Sequence, residues 1–474
     1  MSRRIIKMAV ISAGIVSFAG CASLKPRESY PEVQQLVSDR IAKHVEWYGD
    51  TDASRAVNDQ LHEMLAKPLT ADDAVQIGLL NNRHLQATYE ELGIAQADLV
   101  QAGLLKNPVF SGDLKFSTAG GGTKIELAVI DDFLDVLYIP MRKSIATTAL
   151  EGAKVKVALA VMDLASEVRS TFYALQAAEQ VLEMRRTVIK TSEASYELAQ
   201  RLHEAGNNTK LDLASEQALY EESKLNLATA EAEAIDLREH LTALLGLWGS
   251  QTEFAVTSHL PDLPAEELPA AGLERRAIAQ SLDLKLARGE VAIAEKRLGI
   301  TKPLGVLSEL ELGAAAERDP GSGWGVGPAF ALPIPIFSQG QPAVAIAAAQ
   351  LRQAEQGYFA LAVDIRSGVR SAYKHMSAAR QRAEYYSKVI IPLRQSIVEE
   401  SQKRYNGMFI SAFQLLQAKR DEIEAAKDYI EALRDYWFAR AELDQILAGR
   451  FVRSERPLFT PTLEIKRADN TGGH

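Results

Sequence analysis

Apolar residues recur every seven positions along two long parts of the chain. In the first part, one row runs from Val161 to Tyr196, and a second row follows a turn, from Leu213 to Leu241. Two similar rows run from Val369 to Ile397 and from Leu416 to Trp437. Sevenfold spacing keeps one seam of a helix facing its neighbour and produces a left-handed supercoil. The pattern therefore predicts two pairs of long packed helices, and the first helix is expected from about Ser144 to Glu204.

Between the long helices, apolar and polar residues alternate in four segments of roughly 10 residues, the length of a tilted membrane strand. The segments are FSGDLKFS, TKIELAV, SELELGA and GWGVGPAFAL, with GGG and RDPGSG as turns. In the first two segments the apolar face consists of Phe110, Leu114, Phe116, Ile125, Leu127 and Val129. The pattern predicts two β-hairpins. Periodicity alone leaves open whether they enter a membrane or pack on a core of the same chain.

The two halves of the chain are copies of one unit. EVRSTFYALQAAEQ corresponds to GVRSAYKHMSAARQ, which places Val168 against Val369 with an offset of 201 (369 − 168). This period is far longer than the roughly 20–50 residues of a solenoid repeat. The chain then divides into a first repeat at 69–250, a linker at 251–273, a second repeat at 274–450 and a tail at 451–474. Pro392 occurs only in the second copy and predicts a kink or interruption of its long helix.

The N-terminus has the pattern of an export signal. Arg3, Arg4 and Lys7 precede an apolar run of eleven residues, from Met8 to Phe18. A bilayer-spanning helix needs about 20 apolar residues, so this run is too short to span a membrane. Its length is typical of the apolar core of a signal peptide, which predicts a signal peptide at 1–20.

Cys21 is the sole cysteine of the chain and directly follows this signal. FAGC resembles the lipobox of bacterial lipoproteins, although Phe18 stands where leucine is usual. The resemblance implies a covalent lipid on Cys21, no other cofactor, and a lipidated N-terminal segment at 21–68. Ala22 after the cysteine favours transfer to the outer membrane in such lipoproteins. An ordinary signal peptide that contains a cysteine is the alternative.

Composition argues against several classes of function. The formal net charge of −9 and the pI of about 5.6 argue against a nucleic-acid partner. A single cysteine excludes an intramolecular disulfide framework. The eight histidines show no metal-ligand spacing, and the common nucleotide-binding, zinc-protease and hydrolase motifs are missing from the sequence. We therefore expect no enzyme activity and no metal site.

Four strands are too few to close a barrel, because the smallest filled barrels need about eight. An open sheet edge in lipid would leave backbone groups without hydrogen bonds. If the two hairpins enter a membrane, strands of several chains must therefore join.

The order of these features resembles the outer membrane efflux protein family, the TolC-like channels. Three stretches carry the resemblance: LTADDAVQIGLLNNRHLQATYEELGIAQADLVQAGLLKNP, GPAFALPIPIFSQGQ and SAFQLLQAKRDEIEAAKDYIEALRDYWFARAELDQILAG. They span roughly residues 69 to 450. The resemblance implies a mixed α+β membrane protein that assembles as a homotrimer, with a 12-stranded β-barrel in the outer membrane and a 12-helix α-barrel in the periplasm.

The same resemblance implies a function. The trimer would be the passive exit duct of a tripartite efflux system, which receives small molecules or ions from an inner-membrane pump and a periplasmic adaptor protein. The outer membrane component of type I protein secretion is the alternative within this class. A periplasmic coiled-coil structural lipoprotein is the alternative outside it. The sequence leaves open whether drugs, metals or proteins are exported.

Two turns join the helices of the predicted pairs, EAGNNTK and YNGMFIS. Gly206 and Gly407 suit helix ends, where a left-handed residue often ends the helix. Met408 and Phe409 are apolar in a turn expected to face water, and exposed apolar patches often mark partner sites. Because the tips of family members meet the adaptor, the resemblance implies that the docking tip consists of Gly206, Asn207, Asn208, Gly407, Met408 and Phe409.

Gln414 lies just after the second turn. In many members of the family an aspartate at this place contributes to an acidic ring at the periplasmic constriction. Gln414 is therefore a candidate constriction residue without the acid, and an acidic gate at this position is in doubt.

Overall fold

A computed structural model describes residues 25, 27–48, 51–116, 122–132, 134–304, 310–332, 334, 336–337 and 339–453. The predictions for the signal peptide, Cys21 and most of the tail lie outside these residues. The described α-helices are α1 (Tyr30–Ile41), α2 (Thr51–Leu65), α3 (Ala71–Asn81), α4 (Arg83–Ala102), α5 (Asp135–Glu204), α6 (Lys210–Leu245), α7 (Leu273–Gln280), α8 (Leu282–Leu304), α9 (Gln341–Tyr385), α10 (Ile391–Asn406) and α11 (Ala412–Ala448). None of them is long and apolar enough to cross a bilayer.

The strands are β1 (Val109–Phe116), β2 (Thr123–Asp132), β3 (Glu311–Arg318) and β4 (Trp324–Ala331). They form one antiparallel sheet in the order β1-β2-β3-β4. The two predicted hairpins are therefore confirmed and lie side by side. The third strand continues four residues beyond the predicted SELELGA segment, to Arg318, because Ala314 to Ala316 pair with both neighbouring strands.

One face of this sheet is apolar across all four strands. Phe110 lies opposite Val129, Leu127 opposite Ala316, and Ala316 opposite Val326. Residues directly opposite each other in antiparallel strands point to the same side, so the register joins the predicted apolar rows into one surface. Phe110 is 67% exposed and Val326 is 77% exposed. This exposure excludes the alternative in which the hairpins pack on a core of the described chain.

The first long helix, α5, has 70 residues and would be about 105 Å long at 1.5 Å per residue. It begins nine residues before the predicted start at Ser144 and includes Pro140. A bidentate ion pair explains how the helix tolerates this proline. Arg142 donates from both terminal nitrogens to the buried Asp135 carboxylate, at 2.8 and 2.9 Å. Pro140 has no N–H and cannot donate a backbone hydrogen bond within the helix. The ion pair between Arg142 and Asp135 links the first two helical turns at this point.

The corresponding helix of the second copy is interrupted, as Pro392 predicts. A π-helical turn, Tyr386–Ile390, separates α9 from α10. The sequence offset between the copies is 201 at Val168 and 202 (406 − 204) at the last residues of α5 and α10. The second copy therefore contains one more residue in this interval. A π-helical turn accommodates one additional residue within a helix.

Both copies join their long helices to shorter ones in the same way. The end of α6 meets the junction of α3 and α4, where the Asn81 side-chain amide donates to the Leu245 and Gly246 carbonyls at 3.0 and 2.7 Å. In the second copy, the end of α11 meets the junction of α7 and α8, where the Leu282 N–H donates to the Gly449 carbonyl at 2.8 Å. The duplication therefore extends to the contacts between elements.

The buried core lies around these junctions. One cluster packs α1, α3 and α4 against α5, with the edge-on rings of Tyr30, Trp47 and Tyr89 in contact. A second cluster packs α9 against α7 and α11 around the fully buried Tyr436. The described part of the N-terminal segment thus belongs to the folded body. Lys154 of α5 also binds Glu32 of α1 at 2.7 Å.

Candidate functional site

The first of the two turns follows α5 and has a standard helix-ending geometry. Gly206 is left-handed, with φ of 74°, and the Asn207 N–H donates to the Leu202 carbonyl at 2.8 Å. This pair of features is the Schellman type of helix end. The Asn208 carbonyl, at 2.9 Å, is within hydrogen-bonding distance of Nδ1 of His203. Asn207 is exposed and Asn208 is half-buried.

The second turn repeats this geometry but with different residue types. The prediction that Gly407 takes the left-handed conformation is wrong: its φ is −82°, and Met408 is left-handed with φ of 62°. The Phe409 N–H donates to the Arg404 carbonyl at 2.9 Å, as Asn207 does to Leu202. Met408 is therefore the structural counterpart of Gly206.

The presence of glycine at position 407 has a steric explanation. A Cβ atom at this position would lie 2.8 Å from the ring of Phe409. Glycine therefore allows the Phe409 ring to lie directly against the backbone where α10 ends.

Met408 and Phe409 form an exposed apolar pair at the turn. Met408 is 94% exposed and Phe409 is 83% exposed. A left-handed conformation costs a residue other than glycine roughly 1–2 kcal/mol. Met408 thus carries both backbone strain and an apolar side chain in water. Such strained residues often occur at functional sites.

Gln414 has a local structural role that the sequence analysis missed. It is the third residue of α11, and its side chain accepts from the Ser411 N–H at 3.3 Å while Ser411 caps the Gln414 N–H at 3.4 Å. The signal was present as S-x-x-Q before an apolar run. In the first copy Thr209 and Asp212 make the same capping box, and hydrogen bonds from Thr209 lower the pKa of the Asp212 carboxyl.

The two turns lie at the same end of the helix bundle. Ser195 of α5, Glu216 of α6 and Leu416 of α11 line one narrow cleft. All three lie within about three helical turns of one of the two loops. Glu216 is buried there and accepts a hydrogen bond from Ser195 Oγ at 2.6 Å. Farther along the helices, Arg185 of α5 pairs with Glu424 of α11 at 3.4 Å.

The sheet has a polar face opposite its apolar one. Lys124 there binds Glu126 at 3.0 Å, Asp319 at 3.4 Å and Glu317 at 3.6 Å, and Lys115 binds Asp113 at 3.3 Å. These charges cluster near the β1–β2 and β3–β4 turns. Across the described ranges, no three histidine, cysteine, aspartate or glutamate side chains converge as a metal site.

Duplicated long helix pairs, a sheet whose apolar face no described residue covers, and the exposed Met408 and Phe409 are features of an outer membrane channel protein. The chain belongs to the outer membrane efflux protein family, whose model matches residues 142–247 and 275–449, more than half of the sequence. It is an efflux channel protein of the outer membrane that extends into the periplasm.

Individual relatives agree with this assignment. The chain is 23% identical over 394 residues to the cobalt-zinc-cadmium resistance protein CzcC of Cupriavidus metallidurans, covering 81% of this chain and 90% of CzcC. Its fold is similar to that of CusC, with a TM-score of 0.65 and 16% identity over 80% of this chain and 92% of CusC. It is also similar to the open state of the Neisseria gonorrhoeae MtrE outer membrane channel, with a TM-score of 0.65 and 18% identity over 80% and 89% of the two chains.

Proposed function

We propose that three copies of this chain form the passive outer membrane exit duct of a tripartite efflux system. The observation that carries the proposal is the four-stranded sheet. No described residue covers its apolar face, and no described strand pairs with its two edges, β1 and β4. Three such sheets joined edge to edge would give 12 strands and leave no free edge. A closed barrel satisfies all backbone hydrogen bonds in lipid.

Assembly in the outer membrane tests this proposal directly. We expect outer-membrane extracts to contain a species of three times the chain mass that converts to monomer on heating in detergent. A chain that stays monomeric and leaves the membrane fraction in high salt would support the periplasmic structural lipoprotein instead.

We further propose that the two turns between the long helices, at 204–210 and 405–411, dock a periplasmic adaptor. This adaptor would link the duct to an inner-membrane pump. Met408 and Phe409 supply an exposed apolar patch, and Asn207 and Asn208 lie in the equivalent turn. An apolar contact would shield side chains that are otherwise in water.

For the cargo, we propose divalent transition-metal ions. The support is the likeness to CzcC, which is named for resistance to cobalt, zinc and cadmium. A strain without this chain should lose tolerance to these metals and recover it with the gene on a plasmid. Loss of tolerance to organic drugs alone would favour drug export, and loss of a secreted protein would favour type I secretion.

We also propose that Cys21 carries a lipid. The apolar signal core and FAGC support it. Because a closed barrel would itself hold the protein in the membrane, the lipid would be an additional attachment.

A further inference from the structure

A cleft with a volume of about 500 Å³ lies where the N-terminal segment meets both copies of the duplicated unit. Its walls come from the end of α1, the middle of α5, helix α7 and the last turns of α11. It is lined by five basic side chains, Arg40, Lys43, Arg169, Arg276 and Arg440, and by two acidic ones, Asp39 and Asp444. Clefts that bind small molecules in proteins are of similar size, about 300–1,000 Å³.

Three of the five cations have carboxylate partners. Asp72 binds Lys43 at 3.2 Å and Arg169 at 3.0 Å. Burial alone would raise the pKa of Asp72, but these two cations hold the pKa below its ordinary value. Arg440 lies between Glu267 at 2.8 Å and Asp444 at 3.1 Å. All three side chains are therefore paired within the fold, although Lys43 and Arg169 share one carboxylate.

The other two cations, Arg40 and Arg276, have no carboxylate partner in the described part of the chain. Arg40 donates one terminal N–H to the Leu36 carbonyl at 3.2 Å, but its Nε is buried and has no hydrogen-bond partner. Burial lowers the pKa of the Arg40 guanidinium, and the Asp39 charge only partly opposes this shift. The Arg276 side chain is exposed and makes no hydrogen bond or ion pair with any described residue.

A buried donor without a partner in a native fold calls for an ion, a water or a ligand. The unpaired groups of this cleft are guanidinium donors, which are complementary to an acceptor with negative charge. Guanidinium groups bind carboxylate and phosphate oxygens in a two-pronged geometry. We propose that this cleft binds a small anionic ligand through an oxyanion group, carboxylate or phosphate, held by Arg40 of α1 and Arg276 of α7.

Such a ligand would connect α1, which precedes the duplicated unit, to α7 of the second copy. The site is separate from the sheet and from the two turns between the long helices. The proposal therefore does not depend on the exit-duct function, and each can fail without the other.

Titration calorimetry on the purified full-length protein in detergent tests the proposal. Inorganic phosphate, pyrophosphate and the dicarboxylate glutarate are the probes, in a buffer of low and constant chloride. Arg40→Gln and Arg276→Gln should each raise the Kd at least about tenfold, because a hydrogen bond to a charged group is lost. Arg275→Gln is the matched control, since Arg275 is the exposed neighbour of Arg276 and does not line the cleft. Preference for phosphate or for glutarate identifies the source of the oxyanion.

Three results would overturn the proposal. The first is no binding of any probe below about 10 mM. The second is equal weakening by Arg275→Gln and Arg276→Gln, which would indicate only the general charge of the surface. The third is loss of subunit association in Arg276→Gln without phosphate or glutarate binding, which would assign the cleft to a contact between copies. If Arg40→Gln does not fold, Arg276→Gln decides, because its exposed side chain has no structural contact to lose.

Discussion

At the scale of single residues, Gly368 shows how the duplicated helices came to differ. It replaces Glu167 of the first copy in otherwise similar surroundings, EVRS against GVRS. The ring of Phe451, just beyond α11, lies where a Cβ atom at 368 would be. Phe451 is itself held by its N–H, which donates to Asp283 at 2.7 Å. Glycine at 368 therefore lets the chain after α11 cross α9.

Gly368→Ala should destabilise the protein by about 1–3 kcal/mol, because the new methyl overlaps a ring that cannot move freely. Gly357→Ala is the control in the same helix, since Gly357 is exposed with no atom near its Cβ position. This control should stabilise by about 0.5–1 kcal/mol through helix propensity. Thermal unfolding followed by helical circular dichroism measures both changes. Equal stabilisation by the two substitutions would contradict the packing of Phe451.

The docking role of the second turn can be separated from its folding. Met408→Gly removes the side chain and relieves the left-handed strain, so the turn should fold at least as well as before. Combined with Phe409→Ser, it should abolish export while the amount of membrane-assembled protein is unchanged. The readouts are a cargo-tolerance assay and heat-modifiable migration of the channel. Full export by the double variant would remove the docking assignment and leave the channel assignment intact.

At the scale of elements, the four strands present two chemically different faces. Leu127 lies near the middle of the apolar face, opposite Gly112 and Ala316. Its neighbour Glu126 lies on the polar face and pairs with Lys124. Adjacent residues of one strand can therefore test which face meets lipid.

Leu127→Arg should cost roughly 2–4 kcal/mol if it places a charge near the middle of the bilayer. Glu126→Arg should be tolerated, because it removes only solvent-exposed ion pairs with Lys115 and Lys124 on the polar side, and such pairs contribute little to stability. The measurement is the yield of heat-modifiable oligomer in outer-membrane extracts. If both variants assemble equally well, the apolar face does not meet lipid.

At the scale of the whole molecule, membrane attachment has two proposed parts, the sheet and the lipid. Cys21→Ser should abolish incorporation of labelled palmitate, whereas Cys21 in the natural protein should be labelled. The variant should still remain in the outer membrane, because a closed barrel would hold it there without the lipid. A natural protein without label would show that FAGC is part of an ordinary signal peptide.

Much of this architecture could be predicted from local pattern. The sevenfold rows, the alternating segments and the effect of Pro392 are properties of neighbouring residues, and the duplication is visible when the two halves of the sequence are compared. The structure shows each of these features. The capping boxes at Thr209 and Ser411 can also be recognised in the sequence, because a cap depends on residues only three positions apart. Family membership followed from the order of these features along the chain.

Other features depend on residues far apart or on the detailed course of the backbone. Helix α5 includes Pro140 because Arg142 folds back onto a buried Asp135, and burial is a tertiary property. The left-handed position falls on Met408 because the second turn repeats the backbone hydrogen bonds of the first, in which Gly206 takes that position. The cleft of Arg40 and Arg276 joins helices more than 200 residues apart in sequence. The sequence by itself determined which elements form, since their periodicity is local; tertiary structure alone decided where those elements meet and which charges were left without partners.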